Sequence, residues 1–134
     1  MKPFAIDPSM IATLGGGFYP TGYSMIMFPD EQAARAVADK LASDGGSGDD
    51  VYFLPSDAIL SQISPTAGGS DDPLPSAGTE GATVRAYTKL AREGHVGLLV
   101  KTPDEEAADR LMQAVRTGEY SMAQRYRALV IEDL

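Results

Sequence analysis

The stretch "MFPDEQAARAV", Met27 to Val37, aligns without gaps on "KTPDEEAADRL", Lys101 to Leu111, with Pro29, Asp30, Glu31, Ala33 and Ala34 matching Pro103, Asp104, Glu105, Ala107 and Ala108. Self-similarity of this kind marks a duplicated supersecondary unit. Each copy follows a short apolar run, Tyr23 to Phe28 in the first and Val96 to Val100 in the second, so each reads as a strand running into a helix. In the second copy Thr102, Pro103 and Glu105 supply an N-cap hydroxyl, an N1 proline and the acid of a capping box. Asp104, Glu105 and Glu106 favour the positive end of the helix dipole. Ala107, Ala108, Leu111, Met112 and Val115 then recur at helical spacing, and Gly118 stops the segment. In the first copy Phe28 cannot cap, which leaves the cap to Asp30. There Ala34, Val37, Ala38 and Leu41 form the apolar stripe, ended by Gly45 and Gly46.

A further strand candidate follows each helix, "VYFL" at Val51 to Leu54 and "RYRALVI" at Arg125 to Ile131. Two strand–helix–strand units in one small chain predict an α+β fold, the ferredoxin-like split βαβ repeat. The expected sheet is antiparallel and four-stranded with the repeated strands at its centre. Right-handed crossovers place both helices on one face and leave the other open. Between the halves lies an insertion of an extra helix and a long loop. Ser56 caps a short helix through Ala58, Ile59, Leu60 and Ile63, "SPTAGGSDDPLPSAGTEG" (64–81) is loop-like, and Val84, Ala86, Tyr87, Leu90 and Ala91 predict a helix ending at Gly94. Residues 1–22 then form an N-terminal arm and 23–134 a single domain.

Composition narrows the function. The 134 residues suffice for one core, and without cysteine there is no disulfide, thiolate nucleophile or cysteine-ligated metal. The single histidine, His95, leaves carboxylates as nearly the only other metal ligands, so neither a metal nor a cofactor is expected. A net charge of −8 opposes broad attraction to nucleic acid or anionic membrane. The charge is uneven: residues 1–80 hold three basic residues against eleven acids, and residues 81–134 hold eight against eight. The longest strongly apolar run, Val96 to Val100, is far below the ~20 residues of a membrane span, and "MKPFAIDPSM" has no apolar core of a secretory signal. A cytoplasmic location is expected.

The passages "GYSMIMFPDEQAARAVADKLASDG" and "YTKLAREGHVGLLVKTPDEEAADRLM" resemble the bacterial heat-induced or general-stress protein domain of YflT type, over residues 22–54 and 84–131. The resemblance implies a small αβ domain without an assigned activity. Members often carry a glycine-rich apolar segment between the halves, where this chain has the polar "SPTAGGSDDPLPSAGTEG".

Several residue groups are candidates for a site. "GFYPTGYS" has phosphate-loop glycine spacing, but Tyr23 stands where lysine belongs and the glycines precede a strand, so it reads as a turn. "PLPSAGTEG" places Ser76 or Thr79 at the start of the helix carrying Arg85, Lys89 and Arg92, where free N–H groups plus Arg85 suit a carboxylate or phosphate. Tyr19, Thr21 and His95 join them as candidate ligand-binding residues. Arg125 and Arg127, interleaved with Tyr126, are the RNA-binding alternative, although the aromatic-rich RNP pattern is missing. On alternation, Tyr126, Ala128 and Val130 face the core and the two arginines pair with acids. No nucleophile, base and orienter stand at recognisable spacing, so no catalytic residue is assigned and no enzyme is expected.

The leading expectation is a non-enzymatic domain acting by self-association and by partner or effector binding. Ile26, Phe28 and Leu99 or their strand neighbours leave apolar area to be covered on the open face, and an isologous homodimer covers it most simply. The alternatives are a small-anion sensor at residues 73–85 and an RNA-binding domain.

Overall fold

The computed structural model describes residues 1–11, 16–43, 51–67, 78–128 and 130–134. Their architecture is α+β, built on one mixed six-stranded sheet. In chain order the strands are β1 (Lys2–Pro3), β2 (Tyr23–Phe28), β3 (Val51–Leu54), β4 (Val96–Lys101), β5 (Met122–Tyr126) and β6 (Ile131–Asp133). The helices are α1 (Glu31–Ser43), α2 (Ser56–Ala58), α3 (Gly78–Arg92) and α4 (Glu105–Val115). α2 runs on into a π-helical turn, Ile59–Ile63, and a 3-10 turn, Ser64–Ala67.

The spatial order is β1-β3-β4-β2-β5-β6. The strands of the repeat, β2 and β4, lie side by side at the centre, antiparallel, with Tyr23 opposite Lys101 and Phe28 opposite Val96. β3 and β5 flank them, also antiparallel. The sheet has six strands rather than the expected four, because β1 adds in parallel outside β3 and β6 folds back on β5. The second addition corrects the reading of "RYRALVI" as one strand. β5 starts earlier, at Met122, and the chain turns after Tyr126, with Arg127 N donating to Val130 O at 2.9 Å. Tyr126 is in the core as expected, but Ala128 and Val130 sit on the turn and are exposed.

Both repeated helices are capped by the same residue of the shared Pro-Asp-Glu. Asp30 Oδ1 accepts from Ala33 N and Asp104 Oδ1 from Ala107 N, each at 2.8 Å. The cap of α4 is therefore Asp104 and not Thr102. The Thr102 hydroxyl is instead buried and hydrogen-bonded to Ser24 Oγ at 2.7 Å, which ties the end of β4 to the start of β2. Ser56 likewise does not cap α2: Pro55 is its N-cap, and Ser56 Oγ donates to His95 O at 2.8 Å.

Strand alternation gives the sheet two cores. Ile26 and Phe28 of β2 with Val96, Leu98 and Val100 of β4 face α1 and α4, meeting Ala34, Val37, Leu111, Met112 and Val115. Met25 and Met27 of β2, Leu99 of β4, Leu54 of β3 and Tyr126 of β5 face the other way. That second face is not open. Val84, Tyr87 and Ala91 of α3, Ile59 and Ile63 of the π turn, and Phe4, Met10 and Phe18 of the N-terminal segment cover it. Met25, Met27 and Leu99 are fully buried there, as Ile26 and Phe28 are on the α1/α4 side. Gly97 makes this packing fit: a Cβ would lie 2.8 Å from Met25 Cε and 3.3 Å from Met27 Sδ. The apolar surface on which an isologous sheet-face dimer is expected is thus consumed within the chain. The sheet edges are also blunt, with Lys2 and Pro3 on one side and the short Ile131–Asp133 strand, carrying Glu132 and Asp133, on the other. Short edge strands bearing charge and proline resist further strand addition.

Candidate functional site: the outer face of helix α3

The candidate ligand residues divide between the two ends of the sheet. At one end Tyr126, last in β5, meets Tyr87 of α3 hydroxyl to hydroxyl at 2.9 Å. Tyr19 sets its ring edge-on to Tyr126 at 5.1 Å and donates its hydroxyl to Arg127 O at 2.6 Å. Phe18 packs on Tyr126 at 5.9 Å, and Tyr23 of β2 and Tyr52 of β3 lie 6.3 Å apart across the intervening β4. Thr21 is exposed in the turn before β2, its N–H donating to Tyr19 O. Burial, and secondarily the Tyr126 hydroxyl, push the Tyr87 phenol well above its ordinary 10.0. This tyrosine cluster is packing: among the described residues every buried side-chain nitrogen and oxygen has a hydrogen-bond partner.

His95 is at the opposite end. Its strand pairing puts Val96 beside Phe28 and Lys101 beside Tyr23, so some six strand residues, roughly 20 Å, separate it from the tyrosines. There Gly94, at φ +91°, turns the chain out of α3, and His95 N donates to Leu90 O. His95 Nδ1 is 2.6 Å from Ser121 Oγ, and His95 O accepts from Ser56. A serine beside a histidine invites a nucleophile–base reading, but that reading also needs a group orienting the ring. Among the described residues no such partner is bonded to Nε2. The pair fastens the turn before β5 to the end of α3. The structure therefore brings Tyr19 and Thr21 together and separates them from His95. Ser76 lies outside the described residues, and Thr79 is the second residue of α3.

Arg85 leads to a different surface. α3 turns Val84, Tyr87 and Ala91 inward, and exposes Arg85, Lys89 and Arg92 at positions i, i+4 and i+7 along one outward stripe. Seven residues span about 10 Å. The Arg85 guanidinium folds back toward the first turn of the helix, its Nη1 3.3 Å from where a Cβ on Gly81 would stand. A Cβ at position 81 would need the guanidinium to give way by a few tenths of an ångström.

The stripe differs from the cations elsewhere. Arg35 pairs with Glu31 at 2.7 Å, Arg110 with Glu106 at 3.2 Å and Arg127 with Glu132 at 3.5 Å. Arg85, Lys89 and Arg92 have no carboxylate within ion-pair distance among the described residues. Lys40, Lys101, Arg116 and the buried Arg125 share that property, but no two of them lie together along one exposed helical face. Sequence reading singled out Arg85 and missed Lys89 and Arg92 as site residues. The signal was their common helical face, but it acquired meaning only once the inward face was known.

The RNA alternative relies on a different surface, an exposed sheet face. Arg125 is buried on the α1/α4 side opposite Ser24, Arg127 is paired with Glu132, and the other face lies under α3. Among the described residues no group of histidines and carboxylates is arranged to hold a metal ion, and no helix is long and apolar enough to cross a membrane.

No family model, curated protein or solved structure matches the chain.

Proposed function

We propose that this protein is a non-enzymatic binding domain of ferredoxin-like type whose recognition surface is the outer face of α3 and whose partner is anionic. The antiparallel order β3-β4-β2-β5, with α1 and α4 on one face, supports the ferredoxin-like reading of the core. α3, the π turn and the N-terminal segment are additions to it, and they cover the face such a core leaves free. The observation that carries the functional reading is the stripe of Arg85, Lys89 and Arg92, which has no carboxylate within ion-pair distance among the described residues. Exposed ion pairs contribute only about 0–1 kcal/mol, so stability is nearly indifferent to this arrangement and leaves the stripe available for recognition. Segregated positive charge on an acidic body creates a local attractive field and repels other binding modes. The resemblance to the stress-protein domain is consistent with a cytoplasmic adaptor without catalysis.

The test is chromatography of the folded protein on an immobilised sulfated polysaccharide at low ionic strength, where the Debye length reaches roughly 30 Å at ~0.01 M salt. An acidic protein with this stripe is retarded, and the triple variant Arg85→Ala, Lys89→Ala, Arg92→Ala passes through. Equal passage of both proteins removes α3 as the recognition surface.

A second reading has its own observation. Arg85 lies over the first turn of α3, so a small carboxylate or phosphate there meets a guanidinium and free backbone N–H groups together. Inorganic phosphate then raises Tm in the wild type and not in Arg85→Ala, whereas an equal shift in both removes Arg85 from any small-anion site.

A further inference from the structure

We infer that the anionic surface fitting α3 is the outer face of α4 on a second copy of this chain. The inference rests on the reading of α3 as the recognition surface and names its occupant.

The complement is present on the molecule. α4 exposes Glu105 and Asp109 at i and i+4, and neither has a cationic partner among the described residues, while the neighbouring Glu106 is satisfied by Arg110. The exposed N-cap Asp104 adds a further negative charge at the same end. Residues one helical turn apart stand about 6 Å from each other on either helix, so the acidic spacing on α4 matches the basic spacing on α3. Laid antiparallel, the helices bring Arg92 to Glu105 and Lys89 to Asp109, and leave Arg85 at the far end of the seam.

The geometry also dictates the kind of assembly. α3 covers one face of the sheet and α4 the opposite one. A contact from α3 of one copy to α4 of the next joins different surfaces, so it is head-to-tail and does not close into a twofold dimer. Copies stack face on face, each using its basic side below and its acidic side above. The net charge of −8 opposes growth, which makes the stack short and its length sensitive to salt and concentration.

Sedimentation velocity over a concentration series tests this, at ~0.01 M and at ~1 M salt, where the Debye length falls from about 30 to about 3 Å. Two charge-reversed proteins are compared with the wild type, Arg85→Glu with Lys89→Glu and Arg92→Glu, and Glu105→Lys with Asp109→Lys; circular dichroism checks that each is folded. The wild type is expected to form dimers and longer species at low salt and to dissociate at high salt. Each reversed protein alone associates at least about tenfold more weakly, because like charges now face each other, and an equimolar mixture of the two associates again because opposite charges meet at both kinds of contact. A wild type that stays monomeric at low salt overturns the inference, as does association that persists in either reversed protein alone. If the wild type stays monomeric yet is still held by the sulfated polysaccharide, only the occupant is wrong. If that retention is also missing, the reading of α3 fails with it.

Discussion

The two faces of the sheet are made from opposite kinds of sequence. The α1/α4 face comes from a duplicated motif in which the cap, the helical stripe and the strand alternation agree with one another. The α3 face is assembled from three unrelated pieces: an arm with little periodicity, a short helix that loosens into a π turn, and the helix Gly78–Arg92. Yet the second face is buried as deeply as the first, with Phe18, Leu99 and Tyr87 fully inaccessible. A repeated motif therefore identifies one layer of a fold, and the other layer is recognised only through long-range contacts.

If that equivalence is real, substitutions on the non-repeated side cost as much as those on the repeated side. Phe18→Ala has the largest expected effect, about 3–5 kcal/mol, because it removes a fully buried ring packed on Phe4 and Tyr126 from a segment that sequence alone reads as an arm. Urea unfolding measures it, and a loss below about 1 kcal/mol returns the arm to a peripheral role. Next come Leu98→Ala and Leu99→Ala, neighbours in β4 that face opposite cores. Each is expected to cost about 2–5 kcal/mol. A full loss at Leu98 with a negligible one at Leu99 points to an open face in solution.

Tyr87→Phe removes the hydroxyl-to-hydroxyl bond between Tyr87 and Tyr126 and is expected to cost about 0.5–1.5 kcal/mol, with the double variant with Tyr126→Phe costing less than the sum of the two single changes. The pH dependence carries a second mark. Burial holds the Tyr87 phenol well above its ordinary 10.0, so its contribution to stability is complete below pH 10.0 and is lost as pH rises toward the higher value in the folded chain. Thermal unfolding of the wild type thus loses stability steeply above pH 10, and the double variant flattens that slope. An unchanged slope relieves Tyr87 of any part in alkaline unfolding. The smallest effects belong to the caps: Asp30→Ala and Asp104→Ala each lower stability by about 1 kcal/mol. Unequal losses mean that the two copies of the motif do not cap alike.

Much of the repeated side was legible because its determinants are local. Asp30 as cap, the stripes of Ala34, Val37, Leu111 and Met112, and the central place of β2 and β4 all follow from residues within one turn or one strand of each other. Thr102 was misread for a local reason too: its hydroxyl is a good cap, but Asp104 competes two residues later and Ser24 offers a buried partner across the sheet. The six-stranded sheet was not legible, since β1 is two residues long and β6 depends on the chain reversing after Tyr126, where Arg127 N donates to Val130 O inside a strand-like run. Arg85 was found through its position on a helix that follows a run of small residues in the sequence. Lys89 and Arg92 emerged only when Val84, Tyr87 and Ala91 had fixed which side of α3 faces water. His95 and Ser121 illustrate the converse, a conspicuous residue whose neighbour lies 26 positions away and whose bond fastens a turn.

The decisive measurement is an amide-resolved NMR titration of the folded protein with a short polyglutamate peptide at low ionic strength. The expected result is a saturable set of shifts concentrated along the outer face of α3 around Arg85, Lys89 and Arg92, weakened by salt and absent from α1. Shifts centred instead on the isolated cations Lys40, Lys101 and Arg116, or no saturable shifts at all, would contradict the assignment of α3 as the recognition surface.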